Sequence, residues 1–168
     1  MKRLTLVRHA KSDWSVAGQP DWERTLNARG LKDATEMGRR LRERKLKPDL
    51  ILTSPAVRAL NTATLFAKEL GLAADKLHKD ERLYHATPTV VLEVIRELGG
   101  SARHVMVVAH NPGLTEFSDQ IASDRRIDHM PTCAVVTVSV DVGQWTGLDW
   151  QGGKDVELDY PRSTGGPS

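Results

Sequence analysis

Arginine and histidine stand side by side where an apolar run ends in LTLVRHAKS, as Arg8 and His9, with Lys11 just beyond. Another arginine, Arg58, follows the stretch TSP, and another histidine closes the apolar run of VVAHNPG, as His110 ahead of Asn111. These residue types suit phosphate chemistry. Guanidinium groups grip phosphate through forked, charge-assisted hydrogen bonds. A neutral imidazole is a competent nucleophile toward phosphorus when a carbonyl holds one ring nitrogen protonated and the other offers its lone pair. His9, beside a long loop, suits attack. His110, protonated by the phosphate's own field, would donate to a non-bridging oxygen and, with Arg8 and Arg58, stabilise an in-line transition state. That division of labour calls for no metal and no cofactor.

The elements that must position these residues read as strands running into helices. Residues 3–8 form a strand with Leu4 and Leu6 on one face and Thr5 and Val7 on the other, as expected where both faces are covered. The stretch from Ala10 to Arg24 lacks periodicity and reads as a long, functional type of loop. Asn27 reads as the cap of a helix carrying Leu31, Ala34, Met37 and Leu41 on its buried side, with Arg39, Arg40, Arg42 and Arg44 among the solvated residues. PDLILTSP is a strand feeding a helix that ends near Leu70, with Gly71 just past its end. A weaker segment near 76–84 leads to a helix with Val90, Val91, Val94, Ile95 and Leu98. RHVMVVAHNPG is another strand-to-helix junction, and residues 133–141 with Gln144–Trp150 suggest a closing β-hairpin.

Alternation of strands and helices implies βαβ units and a mainly parallel sheet, whose ligands collect at the carboxyl ends of the strands. Arg8–His9, Ser54–Pro55 with Arg58, and His110–Asn111 all fall at such ends. Ser54–Pro55 and Asn111–Pro112 each read as a capping residue with proline at the first helical position, and helix starts of this kind favour an anion. Any one of Arg8, His9, Arg58 and His110 alone is more readily an ordinary polar residue. Four at three junctions make a site.

Composition leaves room for that reading and narrows the rest. The 168 residues are 39% hydrophobic and 27% charged, which fits one domain with a proper core, its Gly- and Pro-rich end from 163 to 168 frayed. Lys and Arg total 24 against 22 Asp and Glu, so no nucleic-acid footprint stands out, and no apolar run approaches the length needed to span a membrane. Cys133 is the one cysteine, which excludes an internal disulfide and a cysteine-rich metal site. The apolar stretch after Met1–Lys2–Arg3 is cut short by Arg8, so no signal peptide is expected and a cytoplasmic location is the default.

Taken in order over residues 3–150, LVRHAKS, TSP with Arg58, and VVAHNPG resemble the histidine phosphatase superfamily, the phosphoglycerate-mutase-like fold. The short chain and the RHAKS opening followed by Trp14 are most similar to its compact phosphohistidine phosphatase branch. The resemblance implies a three-layer α/β/α sandwich, mainly parallel with an antiparallel strand. It implies His9 as the phosphorylated nucleophile, Arg8, Arg58 and His110 as the rest of the phosphate pocket, a further contact from Asn111, and inorganic phosphate as product. Many members place a general-acid glutamate after the third strand; here the matching position in DERLYHATP is His85, with Glu81 on the other side of Leu83. An alcohol needs a proton as it departs, whereas an imidazole with pKa near ~6.5 leaves far more easily. The change therefore favours a phosphoramidate such as phosphohistidine on a protein. The short chain, without the long insertions that cap a mutase pocket, implies an open site that suits a protein surface.

Other readings stay open beside it. His85 as the acid would make a small-molecule phosphomonoesterase, and loss of turnover with retained affinity would make a non-catalytic module for phosphorylated partners. Lys11, Trp14 and Trp22 either line the pocket mouth or pack the long loop down. Trp145 and Trp150 read as core or edge packing, Cys133 as an inert buried thiol, and His78, His104 and His129 as plain surface residues.

Overall fold

Four long apolar segments pair edge to edge as strands, and the helices between them cover both faces. The computed structural model describes residues 1–162, so the expected fraying of 163–168 lies outside the described residues. In chain order the main elements are β1 (Lys2–Arg8), α1 (Ala28–Glu43), β2 (Leu50–Thr53), α2 (Val57–Leu70), β3 (Leu77–Lys79), α3 (Pro88–Leu98), β4 (His104–Ala109), α4 (Gly113–Ile121), β5 (Val135–Val140) and β6 (Gly153–Asp159). The six strands form one sheet in the order β3-β2-β4-β1-β5-β6. β1 runs parallel to β4, and β2 parallel to β3 and β4; β5 is antiparallel to both its neighbours and so runs against the other five.

Period-two alternation sorts the core into two halves. Leu4, Leu6, Leu52, Val105 and Val107 face α3 and α4, while Val7, Ile51, Met106 and Val108 face α1 and α2. The result is the three-layer α/β/α sandwich. Its edge strands are defended against further pairing: β3 has three residues, and β6 alternates Val156 and Leu158 with Lys154, Asp155, Glu157 and Asp159.

Local signals explain the helix ends. The Asn27 side chain accepts from Gly30 N at 2.8 Å, and Gly71 closes α2 in the left-handed region at φ 67°. A Cβ on Gly30 would run into the carbonyl of Lys11, so the absence of a side chain there lets the chain after His9 pack directly on α1.

Several expectations need correction. Leu31 is 48% exposed; Ala34, Met37 and Leu41 are buried as expected, but in the first turn it is Gly30, against the Lys11 carbonyl, that faces inward. Arg40 is not simply solvated, since it reaches Glu36 and, across to β6, Asp159. α2 begins at Val57 and α4 at Gly113, so neither Pro55 nor Pro112 occupies the first helical position. The partner of β5 is β6, not Gln144–Trp150; there Trp145 is buried against Gly99 in a 3-10 turn, and a side chain committed to the core cannot alternate at a sheet edge. His104 is buried, with Nε2 2.6 Å from Thr5 Oγ1, because β4 lies inside the sheet along its whole length.

Candidate active site

Strand register brings the two histidines together. Arg8 pairs with Ala109 across β1 and β4, and His9 N donates to the Ala109 carbonyl at 3.1 Å, so the next residues on both strands are His9 and His110. The connections from these neighbouring strands leave in opposite directions, the switch point at which α/β sheets open a crevice. The two ring centroids are 5.2 Å apart and both residues are buried. β2 ends alongside, where Ser54 N donates to Val108 O and Ser54 Oγ lies 2.7 Å from His110 Nε2.

His9 is held in one orientation. Its Nδ1 lies 2.8 Å from the Ala10 carbonyl, and since a carbonyl only accepts, Nδ1 carries the proton and Nε2 keeps its lone pair. Burial first, and then the charges of Arg58, Arg8 and Arg24, outweigh that hydrogen bond and push the imidazole down to about 4, so the ring is neutral near pH 7. His110 is pushed down to about 2 by burial, with His9 and Arg58 adding to it. Its Nδ1 is 3.4 Å from an Arg58 nitrogen, which can only donate, so the Nε2 proton goes to Ser54 Oγ. In this electrostatic setting an incoming phosphate is the charge that would restore a proton to His110 Nδ1.

The arginines are anchored at their tips and open at the elbow. Arg8 donates from NH1 to the Met130 carbonyl at 3.0 Å, and Arg58 donates from NH1 to Asp21 O at 2.7 Å and from NH2 to Asp21 Oδ2 at 2.9 Å. The Nε atoms of Arg8 and Arg58 are both buried without a hydrogen-bond partner among the described residues. Orphaned buried donors on two cations are costly unless an anion meets them. A phosphate beside His9 would supply that anion, and Arg58 is 1% exposed, so water is a poor substitute.

Asp21 joins the site from the long loop, where it opens a 3-10 turn, Asp21–Glu23. Besides Arg58, its Oδ2 accepts from Tyr84 Oη at 2.6 Å and lies 3.1 Å from His85 Nε2, while Oδ1 accepts from Arg24 Nε at 3.1 Å. Despite partial desolvation, these donors hold its carboxyl well below the usual carboxylate range. His85 is half-exposed and its ring lies 4.7 Å from that of His110, so it stands at the rim of the same cluster. Thr62 completes the frame, accepting from Ala10 N at 3.0 Å and donating to Arg58 O at 2.8 Å.

Of the residues singled out by sequence, Arg8, His9, Arg58, His110 and His85 come together. Asn111 is adjacent, with its side chain engaged inside the fold: Nδ2 donates to Met130 O, and Oδ1 accepts from Thr115 N and Oγ1. It thus steadies the carbonyl that anchors Arg8. Glu81 is exposed beside Tyr84 and makes no contact with the histidines among the described residues. Asp21, Tyr84 and Arg24 join the candidate site without having been assigned by sequence reasoning, and Ser54, expected at this strand end as a helix cap, meets His110 instead. For Asp21 the available signal was its place in a loop too long to be a mere connection. Trp14 is 76% exposed and meets the loop through the Arg24 guanidinium, 3.4 Å from its ring centre.

Comparison with known proteins follows the same residues. Residues 4–85 match the family described as the histidine phosphatase superfamily (branch 1). An uncharacterised protein of Mycobacterium tuberculosis is 30% identical over 152 residues, spanning 85% of this chain and 92% of its own length. A 2,3-bisphosphoglycerate-dependent phosphoglycerate mutase of Chelativorans is 37% identical over 82 residues, 48% of this chain and only 40% of its own. Among solved structures, a protein from Agrobacterium tumefaciens assigned as the phosphohistidine phosphatase SixA superposes with a TM-score of 0.76 at 26% identity, over 83% of this chain and 92% of that one.

Proposed function

The chain belongs to the histidine phosphatase superfamily, and from that premise we propose that it is a metal-independent phosphatase that passes the phosphoryl group through His9, with phosphohistidine on a protein as its substrate. One observation carries the reading: a buried, neutral imidazole with Nδ1 tied to Ala10 O stands beside two guanidinium groups whose buried Nε atoms lack a partner among the described residues. Those are the needs of a nucleophile and of the phosphate it attacks.

In the first step the His9 Nε2 lone pair attacks phosphorus in line, and the P–N bond to the substrate imidazole breaks. With the substrate's phosphohistidine already protonated on its other ring nitrogen, the leaving imidazole keeps the electron pair and departs neutral, so no further proton donor is needed. Arg8, Arg58 and a protonated His110 hold the three equatorial oxygens while the charge redistributes. Water then attacks the phosphohistidine formed on His9, releasing inorganic phosphate and returning His9 to its neutral form. A cytoplasmic setting belongs to the same proposal; among the described residues no helix is long and apolar enough to cross a membrane.

A second reading has its own observation. The 3.1 Å contact between Asp21 and His85 fixes the orientation of an imidazole at the rim, as a donor to an alcohol leaving group requires. The chain would then be a small-molecule phosphomonoesterase. Rates for a histidine-phosphorylated carrier protein and for aryl phosphates of graded leaving-group pKa separate the two, with native protein and His85→Ala. The phosphohistidine reading expects faster turnover of the carrier, a steep dependence on leaving-group pKa, and little loss in His85→Ala on the carrier. Ester turnover that depends on His85, with an inert carrier, overturns it.

A further inference from the structure

The two arginines of the pocket are held in different ways. Arg58 is met by the backbone and the carboxylate of Asp21, whereas among the described residues the Arg8 side chain has one hydrogen-bond partner, the uncharged carbonyl of Met130. The aim of Arg8 therefore depends on how firmly that carbonyl is held. Met130 lies between α4 and β5, outside any helix or strand, so no ladder fixes its peptide groups. Side chains of the β4–α4 junction fix them instead. Met130 N donates to Thr115 Oγ1 at 3.1 Å, and Met130 O accepts from Asn111 Nδ2 at 2.9 Å beside the 3.0 Å bond from Arg8 NH1. Thr115 and Asn111 are joined in turn, since Asn111 Oδ1 accepts from Thr115 Oγ1 at 2.8 Å and from Thr115 N at 3.1 Å. Met130 itself is fully buried, its sulfur accepting from Ser118 Oγ at 3.4 Å from the next turn of α4.

We propose that Thr115 is a positioning residue for phosphoryl transfer: with Asn111 it clamps Met130 by its N–H and its C=O, and so aims the Arg8 guanidinium at the phosphoryl group. The inference rests on the reading of the pocket as a phosphoryl-transfer site and adds the residues that set one of its cations. Donor and acceptor rules fix the polarity of the clamp. A backbone N–H only donates, so the Asn111 oxygen faces Thr115 N and its amide nitrogen faces Met130 O. By the same rule the Thr115 hydroxyl accepts from Met130 N and gives its own proton to Asn111 Oδ1. Capping α4 would need only the bond from Thr115 N to Asn111 Oδ1. The hydroxyl of Thr115 and the amide nitrogen of Asn111 go to Met130 instead, and Met130 O goes on to Arg8. Because Asn111 follows His110 in the chain, one junction sets His110 directly and Arg8 through Met130. Donors aimed in advance need not reorient as charge develops on the phosphoryl oxygens.

The test measures the affinity for inorganic phosphate by phosphorus NMR, which reads weak binding, and kcat/KM for phosphoramidate and an aryl phosphate, at a temperature where every variant is folded. Thr115→Val keeps the shape and removes the hydroxyl, whereas Thr115→Ser retains it. Thr115→Val weakens phosphate binding about tenfold and lowers kcat/KM by a similar factor, while Thr115→Ser stays within about twofold of the native protein. In an Arg8→Ala background the same Thr115→Val change has less than about a twofold effect, because no guanidinium is left to aim. Should Thr115→Val not fold, Asn111→Asp gives the same pattern from the other arm of the clamp, since it keeps an oxygen for Thr115 and sets the second against Met130 O. Phosphate affinity unchanged in the folded variant, even beside a lower Tm, overturns the proposal, as does a loss of equal size with and without Arg8. If phosphate binding follows the expected pattern while neither substrate is hydrolysed, the phosphatase reading is at fault and the clamp stands. A native protein that binds no phosphate overturns both.

Discussion

The Arg58 guanidinium is 1% exposed, and a cation at that depth is tolerable only where its donors are met. Asp21 meets two of the nitrogens, through its carbonyl and its carboxylate, and the third, Nε, is buried without a partner among the described residues. Asp21→Ala should therefore lose about 1–3 kcal/mol of stability by leaving buried donors unsatisfied. Inorganic phosphate then becomes a better partner for Arg58 than in the native protein. Thermal unfolding with and without phosphate checks this: the phosphate-induced rise in Tm is larger in the variant, and an equal or smaller rise counts against the arrangement. A second prediction concerns protons. His9 and His104 sit at about 4 and His110 at about 2 in the fold, each lowered first by burial, whereas an unfolded imidazole titrates near ~6.5. The unfolded chain thus binds more protons between these values, so stability is full above about 6.5 and falls as pH drops toward 4. Urea midpoints measured between pH 7 and pH 4.5 should decline, a flat profile being the contrary result. Saturating phosphate favours the protonated His110 and should shallow the decline.

Helices and strands place these side chains through a few close approaches. A Cβ on Gly113 would collide with the Ala86 carbonyl, where α4 meets the segment that carries His85. Gly113→Ala must shift one of them, and overpacking of this kind costs about 1–3 kcal/mol. Urea unfolding measures the loss. If His85 donates to alcohols, the same variant loses ester hydrolysis before phosphoramidate hydrolysis. The elements that sequence made legible were those with a strong local signal: the alternating apolar faces of β1 and β4, the Asn27 cap, and Gly71 at the end of α2. Where tertiary contact overrode local pattern, the reading slipped. Leu31 has the right spacing for the core, but in the first turn of α1 Gly30 is the residue packed on Lys11 and Leu31 faces out. Gln144–Trp150 looks like a strand until Trp145 is claimed by the core, and the alternation of β6, with its charges every second residue, is the better hairpin signal.

At the scale of the molecule, parallel order explains why residues from positions 8 to 110 share one pocket. β1, β2 and β4 are adjacent and point the same way, so Arg8–His9, Ser54 and His110 emerge at one edge of the sheet. That convergence was legible in the sequence because every apolar run ended in a polar residue with chemistry to offer. Asp21 and Tyr84 were not, since a residue opening a short 3-10 turn in a loop and one just past the end of another have no periodicity to announce where the fold will carry them. The central claim is that the phosphoryl group rests on His9 between two transfers. Its most direct test is to mix the protein with a phosphohistidine substrate in excess chelator, quench within milliseconds in alkali, and map the phosphate by mass spectrometry. The account predicts an acid-labile, alkali-stable phosphoryl group on His9 that appears before inorganic phosphate and is absent in His9→Ala, which is inactive. Turnover by His9→Ala, or a phosphoryl group trapped on any other residue, would contradict it.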